Sequence, residues 1–545
     1  MLYQRWVNPM RINKFAKSIA ALSASALVAT LAIVSTPAAT AAPICQTVKD
    51  VETCGGVLTN GASYVFKVPT KFKGTMFFWE HGFRPTYPIP GVVAVPTGIE
   101  EITPGNSVTL KDVTAEMLRS GHGVAAYDGT VKGLRGWNNT YRVEMLKEVI
   151  DIATAYYGSK IKHKVVYGSS QAGSIITPFV EKYPTYADAV GILAGTTPSI
   201  ADSMQSLCDA MYIMSVFFDP NIKGCAAFGT KGVAGHMASA AELGKVVTLL
   251  RAWGVNYGNV PIEYPAALKP AGIPQRSALL LTGLLIGLPT KSAHMDGITT
   301  GTLVPEQSIN ATVAVLENMV DAIATGVLAG QSISEITGAG FYDNTKTDWA
   351  SLLDEADAGR FNLGLSGDEA ITAMLGVLSA APRVTGDAAA IAKFKDLDKS
   401  EFTSKHPTIL LSNEADRLVF SGNTARYVDR KMAVYEEALA KWEETKVGPK
   451  PVWNTLALYA MTPETYTQYT AAGAPDLTAA PAESGVGHQT FSKAQTMAWI
   501  RMLATAARTG KVPGERTVTA LAKVTPYLNT DLDYRPTDLK YNFGK

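Results

Sequence analysis

The chain has 545 residues, with 49 Lys+Arg against 48 Asp+Glu and a formal net charge of +1. Charged residues make up 18% and hydrophobic ones 47%, a balance that excludes an intrinsically disordered chain. There is no basic excess to neutralise phosphates, which argues against a nucleic-acid partner.

The charge is unevenly spread. Arg5, Arg11, Lys14 and Lys17 precede residue 42 with no acidic counterpart; beyond them 45 cationic side chains face 48 acidic ones, a balance of −3. Residues 19–34 are apolar or small, Pro37 breaks the run, and Ala39-Thr40-Ala41 offers an A-x-A cleavage site. This pattern predicts a signal peptide over residues 1–41 and a secreted, periplasmic or extracellular product. No stable membrane anchor is expected after processing. The longest later apolar run, residues 278–288, is too short to span and contains Gly283 and Gly287. Four cysteines remain, Cys45, Cys54, Cys208 and Cys225. An even number in an exported chain suggests two disulfides. Of three possible pairings, Cys45–Cys54 and Cys208–Cys225 close the shortest loops and are preferred. There is no C-x-x-C and the seven histidines are scattered, so no metal site is expected.

Strand and helix signals then alternate. Residues 75–79 (TMFFW), 124–127 (VAAY), 164–167 (KVVY) and 189–194 (AVGILA) read as buried strands. Between 140 and 158, Val143, Leu146, Ile150, Ala153 and Tyr157 recur at helical spacing. Short, continuously apolar strands with helices between them predict an α/β fold whose parallel sheet is covered on both faces. From 200 to 405 the strand signals give way to helical and loop patterns. They return at 408–411 (TILL) and 452–459 (VWNTLALY), with a helix between them and a capping box, Ser492 with Gln495, opening another that ends at Gly510 and Pro513. The economical division is a signal peptide (1–41), a first core segment (42–199), a mainly helical insertion (200–405) and a second core segment (406–545).

The strand at 164–167 runs into Gly168-Ser169-Ser170-Gln171-Ala172-Gly173, which fits G-x-S-x-[G/A], the strand-to-helix turn that holds a nucleophilic serine. Residues two before and two after that serine lie against neighbouring backbone and must be small. Gly168 and Ala172 satisfy this around Ser170. Tyr167 and Gln171 do not around Ser169. Pro178 falls where the following helix would run, and a kink or early end is expected there. A serine needs a base, and the base a carboxylate to orient it. Asp416 lies just past the strand at 408–411, with Glu414 as the alternative. His488, in the glycine-rich loop 485–491, is the only histidine after Asp416.

His81-Gly82, Gly168-Ser169-Ser170-Gln171-Ala172, Asp416 and His488, in that order, resemble the α/β-hydrolase superfamily, and with the export signal look like secreted bacterial serine hydrolases of undefined, esterase-like specificity. The resemblance covers roughly residues 64–200 and 406–512. It implies an eight-stranded, mostly parallel sheet flanked by helices, with a large helical cap inserted after the sixth strand. It implies Ser170 as nucleophile, His488 as base and Asp416 as its orienting acid. The Phe83 and Gln171 amides would form the oxyanion hole, and His81 would pack behind it. The expected reaction is hydrolysis of a small-molecule or oligomeric carboxylic ester without a cofactor. A serine peptidase with the same triad and a non-catalytic binding protein on this scaffold are the alternatives. The insertion exceeds a typical lid, and the 72-residue step from Asp416 to His488 is long.

Overall fold

In the computed structural model the described residues are 42–87, 113–131, 134–255, 263–297, 305–471 and 475–543; the expected signal peptide lies outside them. The strands are β1 (Ile44–Val48), β2 (Val51–Val57), β3 (Ser63–Pro69), β4 (Thr75–Glu80), β5 (Gly123–Tyr127), β6 (His163–Ser169), β7 (Ala189–Leu193), β8 (Thr408–Asn413) and β9 (Thr455–Ala460). They form one sheet in the order β1-β2-β3-β5-β4-β6-β7-β8-β9. β1, β2 and β3 pair antiparallel, and β3 joins β5 antiparallel. All pairs from β5 to β9 are parallel. β1 is an added edge strand. With it set aside the sheet has eight strands, and the long excursion after β7 follows the sixth of them.

The helices among the described residues are α1 (Thr114–Arg119), α2 (Asn139–Tyr157), α3 (Gly173–Lys182), α4 (Ala201–Phe217), α5 (Gly232–Val255), α6 (Gln275–Ile286), α7 (Pro305–Thr337), α8 (Trp349–Leu352), α9 (Glu355–Arg360), α10 (Asp368–Ala380), α11 (Ala388–Lys395), α12 (Gly422–Thr445), α13 (Lys493–Thr509) and α14 (Glu515–Lys523). The alternation of side chains along a strand divides the core into two layers. Met76 and Phe78 of β4 face one cluster, which includes Leu146 and Ile150 of α2 and Ile176 and Phe179 of α3. Phe77 and Trp79 face the other, with Trp499, Ile500 and Leu503 of α13. Every residue of β4, β5 and β7 is buried, as covering both faces of a parallel sheet requires.

Helices α4 to α11 lie between β7 and β8, which are neighbours in the sheet. They enclose a core of their own that includes Met211, Met214, Phe217, Leu280, Leu285, Val315 and Ile323. Most of the apolar residues of this stretch are therefore spent on packing rather than on a ligand surface. Within α7, Asn310–Thr337 is long and apolar enough to cross a membrane by length and composition, and 78% of its most apolar window is buried inside the protein. The expectation that no such run exists beyond the N-terminus is corrected here. Glu317 and Asp321 interrupt the apolar pattern and hide the helix's full length. Of the kink or early end expected at Pro178, the early end is corrected, because α3 runs through it to Lys182. Burial of Ile175, Ile176 and Phe179 offsets the one hydrogen bond that proline removes.

Disulfides join Cys45 to Cys54, facing positions of β1 and β2, and Cys208 to Cys225. Two such bonds fit a protein that matures in an oxidising compartment.

Candidate active site

Ser170 leads a 3₁₀ turn, Ser170–Ala172, between β6 and α3. Its φ is 59°, a left-handed conformation that typically costs a non-glycine residue about 1–3 kcal/mol and persists only where the surroundings enforce it. The turn explains its small neighbours. A Cβ on Gly168 would stand 2.4 Å from the Glu80 carbonyl oxygen and 2.6 Å from the Ala172 Cβ. Ser169 is fully buried and its hydroxyl has no hydrogen-bond partner among the described residues, whereas Ser170 is half-buried.

Asp416 follows the carboxyl end of β8 and is fully buried. Its Oδ1 accepts the amides of Leu418 at 2.9 Å and Val419 at 3.1 Å. Its Oδ2 lies 2.7 Å from Nδ1 of His488. Donation from Nδ1–H leaves the lone pair on Nε2. Glu414 is engaged elsewhere: Lys291 Nζ approaches it at 2.7 Å, and Thr462 donates to it through its amide at 2.8 Å and its hydroxyl at 2.7 Å.

Two loops distant in sequence are joined to make this pair. Ala415 and Val486 form a parallel bridge. The Ala415 amide donates to Gly485 at 2.8 Å, and the Gly487 amide to Ala415 at 3.0 Å. Asn413 Nδ2 donates to the Gly487 carbonyl at 2.8 Å and to Thr490 Oγ1 at 2.9 Å. Gly485 has φ 78°, and a Cβ there would stand 2.4 Å from the Met461 backbone, so only glycine fits.

The sheet order reverses between β4 and β5, the serine turn follows β6, a carboxylate follows β8, a histidine follows β9, and the helical excursion falls between β7 and β8. This is the α/β-hydrolase fold. No family model and no curated protein matches the sequence. Among solved structures the chain is similar to feruloyl esterase B from Aspergillus oryzae, at a TM-score of 0.31 and 10% identity over 77% of each chain. It is also similar to the rice cell wall degrading esterase LipA from Xanthomonas oryzae, at 0.28 and 10% over 76% of this chain and 82% of that one. For an α/β hydrolase fold protein from Nakamurella multipartita the values are 0.25 and 13%, over 75% and 90%.

In this hydrolase fold the loop after β4 approaches the serine turn directly. An ideal Cβ on Gly82 would lie 3.0 Å from the Ser170 Cβ, 3.4 Å from the Ser169 carbonyl oxygen and 3.5 Å from Gln489 Nε2. His81 is buried behind it. Its Nδ1–H donates to the Gly82 carbonyl at 2.7 Å, and its Nε2 accepts the Gly129 amide at 2.9 Å. Burial, with the Arg142 and Arg84 charges nearby, pushes this imidazole well below its ordinary pKa, consistent with a neutral ring that uses one nitrogen as donor and the other as acceptor. Phe83 packs on Trp137, with ring centroids 5.9 Å apart.

A buried network joins this loop to the serine turn. Arg142, at the start of α2, donates to a Glu80 carboxylate oxygen, to the His81 carbonyl at 2.5 Å and to Gln171 Oε1 at 2.8 Å. The Gln171 amide continues to Asn139 Oδ1 at 2.8 Å and to the Gly136 carbonyl at 3.2 Å. The Tyr127 hydroxyl donates to the other Glu80 oxygen. Burial raises the Glu80 carboxyl even against the Arg142 charge and these hydrogen bonds. No motif in the sequence singles out Glu80 or Arg142. The available signal was a Glu at the end of an apolar strand together with an Arg beside the apolar stripe of α2.

Helix α7 touches both sides of the site. Asp321 pairs with Arg417, next to Asp416, at 2.5 Å. Eleven residues on, about 16 Å along a helix, Ser332 Oγ accepts the Trp137 amide at 2.8 Å and lies 3.1 Å from Thr86 Oγ1. Tyr342 and Trp349 are engaged within the helical excursion: the first donates to Asp209 at 2.7 Å, and the second is stacked on Tyr212.

The arrangement thus brings together His81, Gly82, Ser170 and the His488–Asp416 pair. Among the described residues no hydrogen bond joins Ser170 to His488. Nε2 of His488 is met instead by Gln489 Nε2, at 3.1 Å.

Proposed function

We propose that this protein is a secreted serine hydrolase that cleaves carboxylic esters through an acyl-enzyme on Ser170. The observation that carries the reading is the 2.7 Å contact between His488 Nδ1 and the buried Asp416, on the loop that follows β9, in a protein whose elbow serine has φ 59°. A buried carboxylate fixes the imidazole tautomer and stabilises the imidazolium that forms as the serine is deprotonated.

Ser170 Oγ attacks the ester carbonyl carbon while His488 Nε2 takes its proton. The C–O double bond becomes a tetrahedral oxyanion, facing the amides of Gln171 and Phe83. Collapse expels the alcohol, which receives the proton from His488. Water, deprotonated by the same nitrogen, then attacks the acyl-enzyme and releases the acid. Every proton is returned and no cofactor enters. The helical stretch between β7 and β8 is the cap, and its contacts at Arg417, Thr86 and Trp137 support its role as the cover of the acyl-binding side. The disulfides and the N-terminal charge pattern support export through a cleaved signal peptide.

A fluorophosphonate probe on the folded protein, followed by peptide mapping, is expected to label Ser170 and not Ser169. Absence of labelling would favour a non-catalytic binding protein. p-Nitrophenyl esters of increasing chain length, run beside peptide anilides, test the substrate class; turnover of the anilides alone would make the protein a peptidase.

A further inference from the structure

Among the described residues, the hydrogen-bond partner of His488 Nε2 is Gln489. Its Nε2 stands 3.1 Å from Nε2 of the imidazole. With Nδ1–H given to Asp416, Nε2 carries the lone pair and the amide N–H is the donor. The same amide nitrogen lies 3.5 Å from the point a Cβ on Gly82 would occupy, and the Ser170 Cβ lies 3.0 Å from that point. The amide therefore sits beside the serine, against the atom the serine's proton would have to reach. Gln489 has φ 57°, a left-handed conformation rare for a residue with a long side chain. Ser170 is left-handed as well.

We propose that Gln489 is a positioning residue that occupies the base at rest: its amide donates to His488 Nε2, and the serine engages that nitrogen only when a bound ester draws the amide away. The proposal rests on the serine-hydrolase reading above. It accounts for a site in which the acid–base pair is formed and the base–nucleophile bond is not. No atom is gained or lost, since one N–H···N bond is exchanged for one O–H···N bond.

Isosteric substitutions separate this role from simple packing. Gln489→Met keeps the length and removes the donor. A competing hydrogen bond is lost, and a small fluorophosphonate is expected to label Ser170 roughly 2- to 10-fold faster than in the wild type. Gln489→Asn, one methylene too short to reach, is expected to behave in the same way. Gln489→Glu keeps the shape but puts a carboxylate against Nε2, which favours the protonated imidazole that can take no proton, and labelling is expected to slow by about tenfold. Opposite signs for two variants of equal size, at unchanged melting temperature, are the result expected. Equal changes in Met and Glu variants, or none, with the wild type still labelled at Ser170, would overturn the proposal and leave the hydrolase reading standing. No labelling of Ser170 in wild type or variants would overturn both.

Discussion

Asn413 and Gly487 stand 74 residues apart in the chain, and the side-chain amide of the first donates to the carbonyl of the second at 2.8 Å. That bond ties the end of β8 to the residue preceding His488. Replacing Asn413 by Ala leaves the Gly487 carbonyl without this donor. A buried polar group left unmatched costs about 1–3 kcal/mol, and the histidine loses part of its aim. Ester turnover is expected to fall roughly 10- to 100-fold, mainly in kcat, with a measurable drop in melting temperature by calorimetry. Unchanged kcat would mean that the loop holds its position without this anchor.

Asp416 and Glu414 are two residues apart and do different things. Asp416→Asn removes the acceptor of the His488 proton and is expected to reduce kcat by about 10³–10⁴. Glu414→Gln loses a contact to Lys291 and weakens acceptance from Thr462. It should alter stability modestly and kcat by less than about tenfold. Steady-state kinetics of the two variants side by side decide the matter; the reverse ranking would move the acid to Glu414.

Arg142 and Glu80 are both almost wholly buried. Removing one member of a buried pair strands the other charge, at about 3–5 kcal/mol. Arg142→Met is therefore expected to lower the unfolding free energy by that order, measured by urea titration. The double variant with Glu80→Gln should recover part of the loss. Arg142 also holds the His81 carbonyl and Gln171, so the double variant is expected to remain slow in catalysis even where its stability returns. Recovery of both properties together would confine Arg142 to a structural role.

Burial raises the carboxyl of Asp209 to about 7, against hydrogen bonds from Tyr541, Tyr342 and Gln205. The folded-state value lies above the unfolded one, so the folded state binds the proton more tightly. The corresponding stability is fully present below about 3.9, the unfolded value, and is lost as pH rises through 7. The melting temperature is expected to be about 2 °C lower at pH 8.5 than at pH 5.5 from this group. Asp209→Asn should flatten that slope, and an identical slope in the variant would exclude Asp209 as its source.

The strands that carry the site were legible because they are buried on both faces. MFFW (76–79) and VVY (165–167) are short apolar runs, and β4 and most of β6 are correspondingly buried. β1, β2 and β3 gave no such signal: β1 is largely exposed and carries Gln46 and Thr47, as an edge strand does. Ser170 was separable from Ser169 by the size of its neighbours, a steric constraint written in the local sequence. The Glu80–Arg142 network was not, since sequence alone does not say which charges are buried or across which gap they meet. Gln489 was invisible for another reason. Its neighbour His488 was singled out, but the local sequence carries no sign that Gln489 is left-handed or that its amide meets the imidazole beside it.

At the two ends of the helical excursion the Ile200 amide donates to the Asp398 carboxylate at 3.0 Å, beside the parallel pair of β7 and β8. The two ends of roughly two hundred residues thus meet at a single socket. A segment tethered at one place can lengthen, shorten or be exchanged while the register of the strands on either side is untouched. The chemistry can stay fixed in the sheet while the substrate it serves is rewritten in the segment plugged into it.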